Sequence, residues 1–250
     1  MPSPPLTNLI AWWEANVGVT ATGGLITGNP VTAWADQSGG GNNLIASTSN
    51  ATYETNQING FPALLFSNAN LIGAACNLTS AATVFTVFKL SSLAAKSTLF
   101  SGSNGSLSTG FNDNGGSGAV VLQTADSAAV ALLGKGNAPA DLDWHQVNLT
   151  YSASVDLTFR LDGSSDGGSG TVVTDISANN TFVGDNQATD SEFFTGYVAE
   201  MLVYSAAIGL TAIETVEAYL QAKYFPSPGG GSTRPWFGPD LNAAMRGARG

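Results

Sequence analysis

The acidic residues and the single histidine are the side chains of this sequence that could carry out catalysis. Hydrolysis of a glycosidic bond needs two carboxyl groups about 5 to 10 Å apart, one on each side of the bond. The nearest candidates, Glu192 and Glu200, lie on either side of the start of a predicted strand, and neither is followed by an acid two residues later. Glu200, within VAEMLVY, therefore fits a hydrogen-bonded structural residue better than a catalytic acid.

Nucleophilic catalysis has equally little support. A triad with a serine nucleophile would have to use His145, the only histidine, as its base. His145 follows Trp144 at the start of a predicted strand, where a packing role is expected. Neither GGSGT nor GSNGS completes the Gly-x-Ser-x-Gly pattern of a nucleophile elbow. We therefore predict that the protein is not an enzyme.

The stretch TAWADQSGGGNN, residues 32–43, has the glycine content of a ligand-binding loop. A phosphate-binding loop needs a Lys and a Ser or Thr after its glycines, and a dinucleotide loop needs a βαβ unit, so both are excluded. Asp36 with two nearby amide side chains is too few ligands for calcium, although a half-site completed elsewhere stays open. The favoured role is structural: Trp34 in the core, Asp36 bonded to loop amides, and positive φ at Gly39 and Gly41.

Composition and charge exclude several classes of partner. Eight Lys and Arg against eighteen Asp and Glu give a formal charge of −10. This charge repels phosphate backbones and anionic membranes, so we expect no nucleic-acid or membrane partner. Cys76 is the only cysteine, which excludes an intramolecular disulfide and a cysteine-based zinc site and predicts a small buried apolar residue. The beginning MPSPPLTNLIAWW lacks the features of a secretory signal, which predicts synthesis in the cytoplasm.

The elements that must position these residues are mostly strands. Short runs rich in Val, Leu, Phe, Thr and Tyr alternate with Gly, Asn, Asp and Ser clusters, as in a β-sandwich. In HQVNLTY the polar residues Gln146, Asn148 and Thr150 alternate with apolar ones, so one face of that strand should be wet. The predicted strands are Leu9–Glu14, Ala63–Phe66, Thr83–Lys89, Thr98–Ser101, Ser108–Asn112, Ala119–Thr124, Val130–Leu133, Trp144–Tyr151, Asp156–Leu161, Thr181–Val183 and Phe194–Tyr204.

One helix and a tail complete the chain. LTAIETVEAYLQAKYF predicts a helix with a capping box at Thr211 and Glu214, an apolar stripe and a stop at Pro226. The predicted organisation is an extended lead-in over residues 1–8, a sandwich over 9–225 and a Pro/Gly linker with an aromatic-basic tail over 226–250. Such a tail resembles a peptide that becomes ordered on a partner, and a disordered end without a binding role is the alternative that stays open. The residues expected to anchor it are Arg234, Trp236, Phe237, Leu241, Met245 and Arg246.

Several of these stretches, taken in order, resemble one superfamily. LIAWWEA, VTAWADQSGGGNNL, YETNQINGFPALLFS and ATVFTVFKL are similar to the concanavalin A-like lectin/glucanase sandwiches, in the laminin-G-like group found in bacterial and phage proteins. DWHQVNLTY followed by LTFRLDG resembles the laminin-G pair that runs from Trp-His-x-Val to Asp-Gly. The resemblance covers about residues 6 to 225. It implies an all-β fold, a two-sheet antiparallel jelly-roll sandwich, closed here by the C-terminal helix.

The resemblance also implies where ligands would bind. Many relatives bind glycans on the concave face and rim loops, with a stacked aromatic ring, Asn and Asp contacts, and often calcium. It suggests glycan contacts at Phe111, Asn112, Asp113, Asn114, Asp185 and Asn186. No other cofactor is expected, and calcium is left open at Asp162 and Asp166 or at Asp185 and Asp190. Because Asp, Asn and Gly also dominate ordinary β-turns, a purely structural role for these loops stays open.

The functional hypothesis is a non-enzymatic structural protein of a phage virion, such as a head decoration, head-fibre or tail-associated subunit. Low lysine content, a surface rich in Gly, Ser, Asn and Thr, and the detachable tail favour it. The tail would dock the subunit to other capsid, fibre or tail proteins in a homo-oligomer or symmetric assembly, and the outer face would contact host polysaccharide. The alternatives are a stand-alone carbohydrate-binding protein or a purely architectural capsid cement protein. A glycan hydrolase or lyase would need acids on the concave strands that the sequence does not supply.

Overall fold

The computed structural model describes residues 3–47, 49–74, 76, 81–93, 97–102, 108–113, 120–126, 131–137, 139, 141–152, 155–166, 180–185 and 193–226. Within these ranges the chain forms β-strands and one α-helix. The elements are β1 (Leu9–Glu14), β2 (Val19–Ala21), β3 (Asn29–Trp34), β4 (Leu44–Ala46), β5 (Thr52–Ile58), β6 (Phe61–Phe66), β7 (Leu71–Ala74), β8 (Ala81–Leu90), β9 (Ser97–Gly102), β10 (Ser108–Asp113), β11 (Val120–Asp126), β12 (Ala131–Asn137), β13 (Trp144–Ser152), β14 (Val155–Leu161), β15 (Ser164–Ser165), β16 (Asn180–Val183), β17 (Gly196–Tyr204) and α1 (Leu210–Tyr224).

The strands pair antiparallel in two sheets, which we call sheet A and sheet B. Sheet A has the order β15–β14–β13–β8–β17, and the other edge of β17 pairs first with β6 and then with β1. Strand β5 extends sheet A beyond β6. Sheet B has the order β2–β3–β4–β7–β16–β9–β10–β11–β12. Strand β3 joins both sheets, because its first residues pair with β5. The predicted two-sheet antiparallel sandwich is confirmed.

The main core lies between the two sheets. It includes Trp13 of β1, Trp34 of β3 and Phe88 of β8, all with no exposed surface. Side chains alternate along each strand, so the neighbours of these residues point away from this core. Trp12 accordingly lies on the outer face of sheet A, where its ring meets Tyr219 of α1 edge-on, with 6.5 Å between ring centroids.

Helix α1 covers that outer face. The predicted apolar stripe of Ile213, Val216 and Leu220 is buried and packs in one cluster with Phe85 and Leu202 of sheet A. The helix ends at Tyr224, just before Pro226, as the sequence predicts.

The predicted capping box is wrong. The helix begins at Leu210 and its N-cap is Gly209, which makes no side-chain capping hydrogen bond. Thr211 is therefore already inside the first turn, and its carbonyl accepts a hydrogen bond from the Thr215 hydroxyl at 2.7 Å. The spacing to Glu214 was right for a capping box, but the register was not.

The predicted wet face of β13 is also wrong. Gln146, Asn148 and Thr150 are only 1 to 6% exposed. They lie on the same face of sheet A as Phe85 and Val87, which pack against α1. Alternation correctly separated the two faces of this strand, but it could not show that a distant helix covers the polar one.

Most predicted strands coincide with observed ones to within a few residues, but the region before β8 contains several that sequence patterns missed. Strands β2, β4 and β7 are only three or four residues long. Strand β3 begins with Asn-Pro, and β5 carries mostly polar residues. Such strands are defined by their pairing partners rather than by a long apolar run, so hydrophobic periodicity does not reveal them.

Candidate functional site

The glycine-rich loop lies along one edge of β1. The Trp12 amide donates to the Asp36 carboxylate at 2.9 Å, and the Gln37 amide donates to the Trp12 carbonyl at 2.7 Å. The Ile10 carbonyl accepts hydrogen bonds from the Ser38 hydroxyl at 3.0 Å and from the Asn42 side chain at 2.6 Å. The loop therefore satisfies backbone groups of β1 that a neighbouring strand would otherwise occupy.

The Asp36 carboxylate also organises the loop itself. It accepts hydrogen bonds from the amides of Ser38 and Asn42 at 2.8 and 3.0 Å, and from the Ser38 hydroxyl at 2.9 Å. Gly39 and Gly41 have φ values of +86° and +77°, a region that favours glycine. At the same loop, a methyl group on Gly40 would lie 2.4 Å from the Ile10 carbonyl oxygen. The protein's own amide and hydroxyl groups donate the hydrogen bonds to Asp36. The loop therefore has a structural role: it fixes the edge of β1, and we call it the clamp.

Glu200 lies at the centre of a buried polar cluster between sheet A and α1. It has no exposed surface, and it accepts hydrogen bonds from Trp12 Nε1 at 2.7 Å, Tyr219 at 2.8 Å and Tyr224 at 2.7 Å. Lys223 Nζ lies 2.6 Å from Glu200 and 2.9 Å from Glu14. Tyr219, Lys223 and Tyr224 belong to α1, so their contacts with Glu200 hold the helix to the sheet, which agrees with the structural role expected for it.

Burial governs the electrostatics of this cluster. Desolvation raises the pKa of Glu200 above its ordinary value, although Lys223 opposes the shift by its charge and its hydrogen bond. Desolvation likewise raises the pKa of Tyr224, and the neighbouring Glu200 carboxylate raises it further. Tyr224 therefore stays protonated and donates to Glu200. A second buried pair holds the helix nearby, since Arg160 of β14 bonds both carboxylate oxygens of Glu217 at 2.8 and 2.9 Å.

His145 bridges two turns at the end of sheet A. Its Nδ1 lies 2.8 Å from Asp162 and its Nε2 lies 2.9 Å from Asp141, while the ring packs on Phe88. Burial lowers the pKa of His145, but hydrogen bonds and charge from the two carboxylates outweigh burial and raise the pKa overall. Both ring nitrogens are bonded to carboxylates, so neither nitrogen is left to act as a general base for a nucleophile.

The predicted calcium ligands have different surroundings in the structure. Asp162 is bonded to His145 and also accepts the Gln146 amide at 3.0 Å, while the Asp166 amide donates to the Phe159 carbonyl. Among the described residues, no three His, Cys, Asp or Glu side chains come together to hold a metal ion. Asp190 lies outside the described residues, so calcium at either pair stays a prediction.

The predicted glycan contacts do not all lie in loops. Phe111, Asn112 and Asp113 belong to β10, where they pair with β11, rather than to a rim loop. Their side chains, together with Asn114 and Asn186, fall outside the described part of the chain. Asp185 is 2% exposed and accepts a hydrogen bond from Asn70 at 2.9 Å. Its carboxylate is therefore buried instead of facing a ligand at the rim.

Sequence patterns missed a row of side chains across the outer face of sheet A. Trp144 of β13 and Tyr197 of β17 each lie opposite Lys89 of β8 in the strand register. The two aromatic rings lie 6.0 Å apart between centroids at an interplanar angle of 53°. All three side chains are partly exposed. The sequence signal for this row was a single lysine in the otherwise uncharged strand AATVFTVFKL. The strand register that places Lys89 between Trp144 and Tyr197 cannot be read from the sequence.

Lys89 differs from the other cations of the sandwich. Arg160 is paired with Glu217, and Lys223 with Glu14 and Glu200. Among the three basic residues whose side chains the structure describes, Lys89 is the one without an ion pair. This row can therefore offer two aromatic faces and one ammonium group to a ligand.

The remaining expectations concern the thiol, the tail and the membrane. Cys76 is buried, and burial raises the pKa of its thiol to about 11, so it behaves as a small core residue. Residues 227–250, which include the anchoring candidates Arg234, Trp236, Phe237, Leu241, Met245 and Arg246, lie outside the described residues. Within the described part of the chain, no helix has the length and hydropathy needed to cross a bilayer.

Solved structures share this fold at low sequence identity. Domain 4 of AbnA, a GH43 extracellular arabinanase from Geobacillus stearothermophilus in complex with arabinotriose, matches with a TM-score of 0.61 and 17% identity over 84% of this chain and 98% of that one. A GH54 α-L-arabinofuranosidase soaked with a cyclic sulfate inhibitor matches with a TM-score of 0.66 and 12% identity over 86% and 63%. A botulinum neurotoxin serotype D/C binding domain matches with a TM-score of 0.57 and 11% identity over 86% and 52%.

The chain thus spans nearly all of the arabinanase domain, but only about half of the toxin binding domain. At these identities the likeness establishes the fold alone. Comparison with curated protein sequences finds no match. The model of one protein family matches residues 62–214, more than half of the chain, and reaches from β6 into the first turn of α1. The chain belongs to the concanavalin A-like lectin/glucanases superfamily.

Proposed function

We propose that the chain is a non-enzymatic structural subunit of a phage virion that displays its lectin-like sandwich to surface glycans of the host. The buried carboxylates are the observation that carries the non-enzymatic part. Glu14 and Glu200 are bonded to Lys223 beneath α1, and Glu217 is bonded to Arg160. A glycosidase needs two carboxyl groups that face the scissile bond. These three face the interface between the helix and the sheet instead.

The glycan part is supported by the family and by its relatives. The superfamily includes lectins, and the arabinanase domain that this chain matches over 98% of its length was solved with arabinotriose bound. Folds host many functions, so this support concerns the class of ligand and not its identity. A saccharide is the ligand class that we propose for this chain.

The virion part is supported by composition. Charged residues make up only 10% of the chain, and three of its eight basic residues fall in the last seventeen positions. There they flank an aromatic pair, Trp236 and Phe237, that stands between two prolines after a Pro/Gly-rich linker. A short aromatic and basic peptide of this kind gains order and affinity by docking on a larger surface. We propose that it attaches the sandwich to a capsid, fibre or tail protein.

Particle association tests this proposal. The full chain is compared with a variant carrying Trp236→Ala and Phe237→Ala, and the measurement is the fraction that sediments with purified phage particles. The matched control is Leu25→Ala with Ile26→Ala, which removes an apolar pair from the β2–β3 loop, 49% and 62% exposed. We expect the tail variant to be lost from particles and the control to remain. Absence of the unmodified chain from particles would contradict the virion role, and retention of the tail variant would contradict docking through the tail.

A stand-alone carbohydrate-binding protein is the second candidate. It is favoured by the nearly complete coverage of the arabinanase domain, which is a single module of a larger enzyme. In that case the isolated chain binds a polysaccharide saturably, and the tail substitutions leave the affinity unchanged. A purely architectural cement protein instead associates with particles and binds no saccharide.

A further inference from the structure

We propose that Trp144, Lys89 and Tyr197 form a binding site for a sugar that carries a carboxylate group, on the outer face of sheet A beside α1. The inference rests on the proposed glycan binding. It adds the class of sugar and a place on the molecule that differs from the rim loops.

The strand register brings the three side chains together. Lys89 is the direct cross-strand neighbour of Trp144 on one side and of Tyr197 on the other. Directly opposed side chains in antiparallel strands have Cβ atoms about 5 Å apart. Lys89 therefore lies between these two residues in the register, and their rings contact each other with centroids 6.0 Å apart and planes tilted by 53°. Both rings are partly exposed, so an aromatic face beside the lysine can contact the apolar C–H surface of a sugar ring.

The site lies just beyond the surface that α1 covers. Val87, two residues before Lys89 on the same face of β8, is buried in the cluster that contains the helix. Trp144 and Tyr197 pack against that cluster but remain partly exposed. The helix therefore supports the row from one side and leaves its outward surface accessible.

Charge identifies the class of ligand. The chain has a formal charge of −10, yet the ammonium group of Lys89 has no acidic partner among the described residues. Arg160 and Lys223, the other cations whose side chains are described, are each held by buried glutamates. Lys89 keeps three hydrogen-bond donors for an anion, and hydrogen bonds between an ammonium and a carboxylate are among the strong ones. One cation between two rings matches one carboxylate on one sugar, whereas a nucleic acid would need many cations.

The negative charge of Asp143 should oppose the binding of an anion. It therefore allows a test of whether the charge of the site controls affinity. It is exposed and directly precedes Trp144. Its carboxylate repels an acidic sugar on the row, so removing that charge should strengthen binding where removing the charge of Lys89 weakens it.

The experiment uses the full chain on an array that carries oligogalacturonate, its methyl ester, sialyllactose and lactose. Each acidic probe then has a neutral counterpart. We expect binding to an acidic probe, weakening of about tenfold or more in Lys89→Gln, and a severalfold gain in Asp143→Asn. Lys135→Gln is the matched control, because it removes the same charge from β12 in sheet B. The melting temperature of each variant establishes that it is folded.

The outcomes separate this inference from the proposed function. Binding to neutral probes alone overturns the acidic-sugar inference and leaves glycan binding standing. If the chain binds the acidic probes and Lys89→Gln does not weaken this binding, the proposed location of the site is wrong. Absence of binding to every probe overturns both the site and the glycan part of the proposed function.

Discussion

Asp36 supplies for the edge of β1 the contacts that a neighbouring strand would otherwise supply. An open strand edge can pair with another chain and start aggregation, and proteins commonly cover such edges with a loop. Here the cover depends on a few short side chains, namely Asp36, Ser38 and Asn42, and on a glycine at position 40 that lets the loop approach the Ile10 carbonyl. The clamp is thus concentrated in single residues, and its removal should be measurable.

We expect Asp36→Ala to lower the free energy of unfolding by about 2–3 kcal/mol, because the Trp12, Ser38 and Asn42 amides lose a charged acceptor. Urea denaturation measures the change. Asp143→Ala is the control, since that side chain is exposed and its loss should cost less than about 0.5 kcal/mol. An equal effect of both substitutions would contradict the clamp. The uncovered edge should also increase self-association of Asp36→Ala, which light scattering detects.

His145 should make stability depend on pH. Its pKa is raised in the folded state, so its contribution is fully present below its unfolded pKa and is lost as the pH rises through its folded pKa. Hydrogen bonds with the Asp143 amide and His145 lower the pKa of Asp141, so that carboxylate stays charged through this range. His145→Gln should therefore destabilise the protein more at about pH 5.5 than at about pH 8. Urea denaturation at both values measures the difference, and a difference that does not change with pH would refute the interpretation.

At the scale of residues, the sequence indicated which residue types would form bonded turns. It did not show which distant groups they bond to. An aspartate before three glycines indicated a bonded turn, and the structure places loop amides on Asp36. The Trp12 amide, 24 residues away, could not be inferred from the loop. The same limit applies to His145, whose partner Asp162 comes from the turn after the next strand.

At the scale of elements, α1 is held to sheet A by an apolar stripe and by buried charges. The stripe was predictable, because Ile213, Val216 and Leu220 recur at helical spacing. The burial of Glu217 and Lys223 was not, because helical periodicity treats charged residues as exposed. Both find their partners on strands far away in the sequence, so only the tertiary structure shows them.

Lys223→Met should test this attachment. The substitution leaves Glu14 and Glu200 buried without their cation, and we expect a loss of about 3–5 kcal/mol in the free energy of unfolding at neutral pH. Burial already raises the pKa of Glu200, and loss of Lys223 removes the main opposing influence. Stability should therefore recover in part as the pH falls and Glu200 takes up a proton.

Thermal denaturation at about pH 7 and about pH 5 follows this recovery. The double variant with Glu200→Gln serves as the control, since it lacks one of the two buried carboxylates that pair with Lys223. It should lose less stability at neutral pH than Lys223→Met alone. A single and a double variant of equal stability would show that the buried charges do not couple.

At the scale of the whole molecule, the two-sheet sandwich was predictable and the arrangement of its surface was not. Alternating patterns and ordered motifs such as DWHQVNLTY identified the fold, and the family match confirms it. The row of Trp144, Lys89 and Tyr197 combines three strands that are separated along the chain. No local pattern brings such residues together, because the register of the sheet alone decides which side chains are neighbours.

Calcium is tested on the whole molecule as well. If Asp162 and Asp166 or Asp185 and Asp190 bind the ion, an excess of calcium should raise the melting temperature by several degrees, because a ligand that binds only the folded state stabilises it. The measurement is a thermal melt in EDTA and again after addition of calcium. Magnesium at equal ionic strength is the control, and an unchanged transition in both salts would sink the calcium hypothesis.

The contacts of the last described residues have a mechanical consequence. Residue 226 follows Tyr224 and Lys223, whose side chains are bonded to Glu200 in the buried interior. Tension that reaches the domain through the following residues is therefore transmitted to β17, which is hydrogen-bonded to β8 and to β1. Several strands share such a load, and the helix cannot be peeled away one turn at a time without first breaking its innermost contacts. If the residues after 226 dock on a partner as we propose, the domain should stay folded under tension between that partner and a bound ligand.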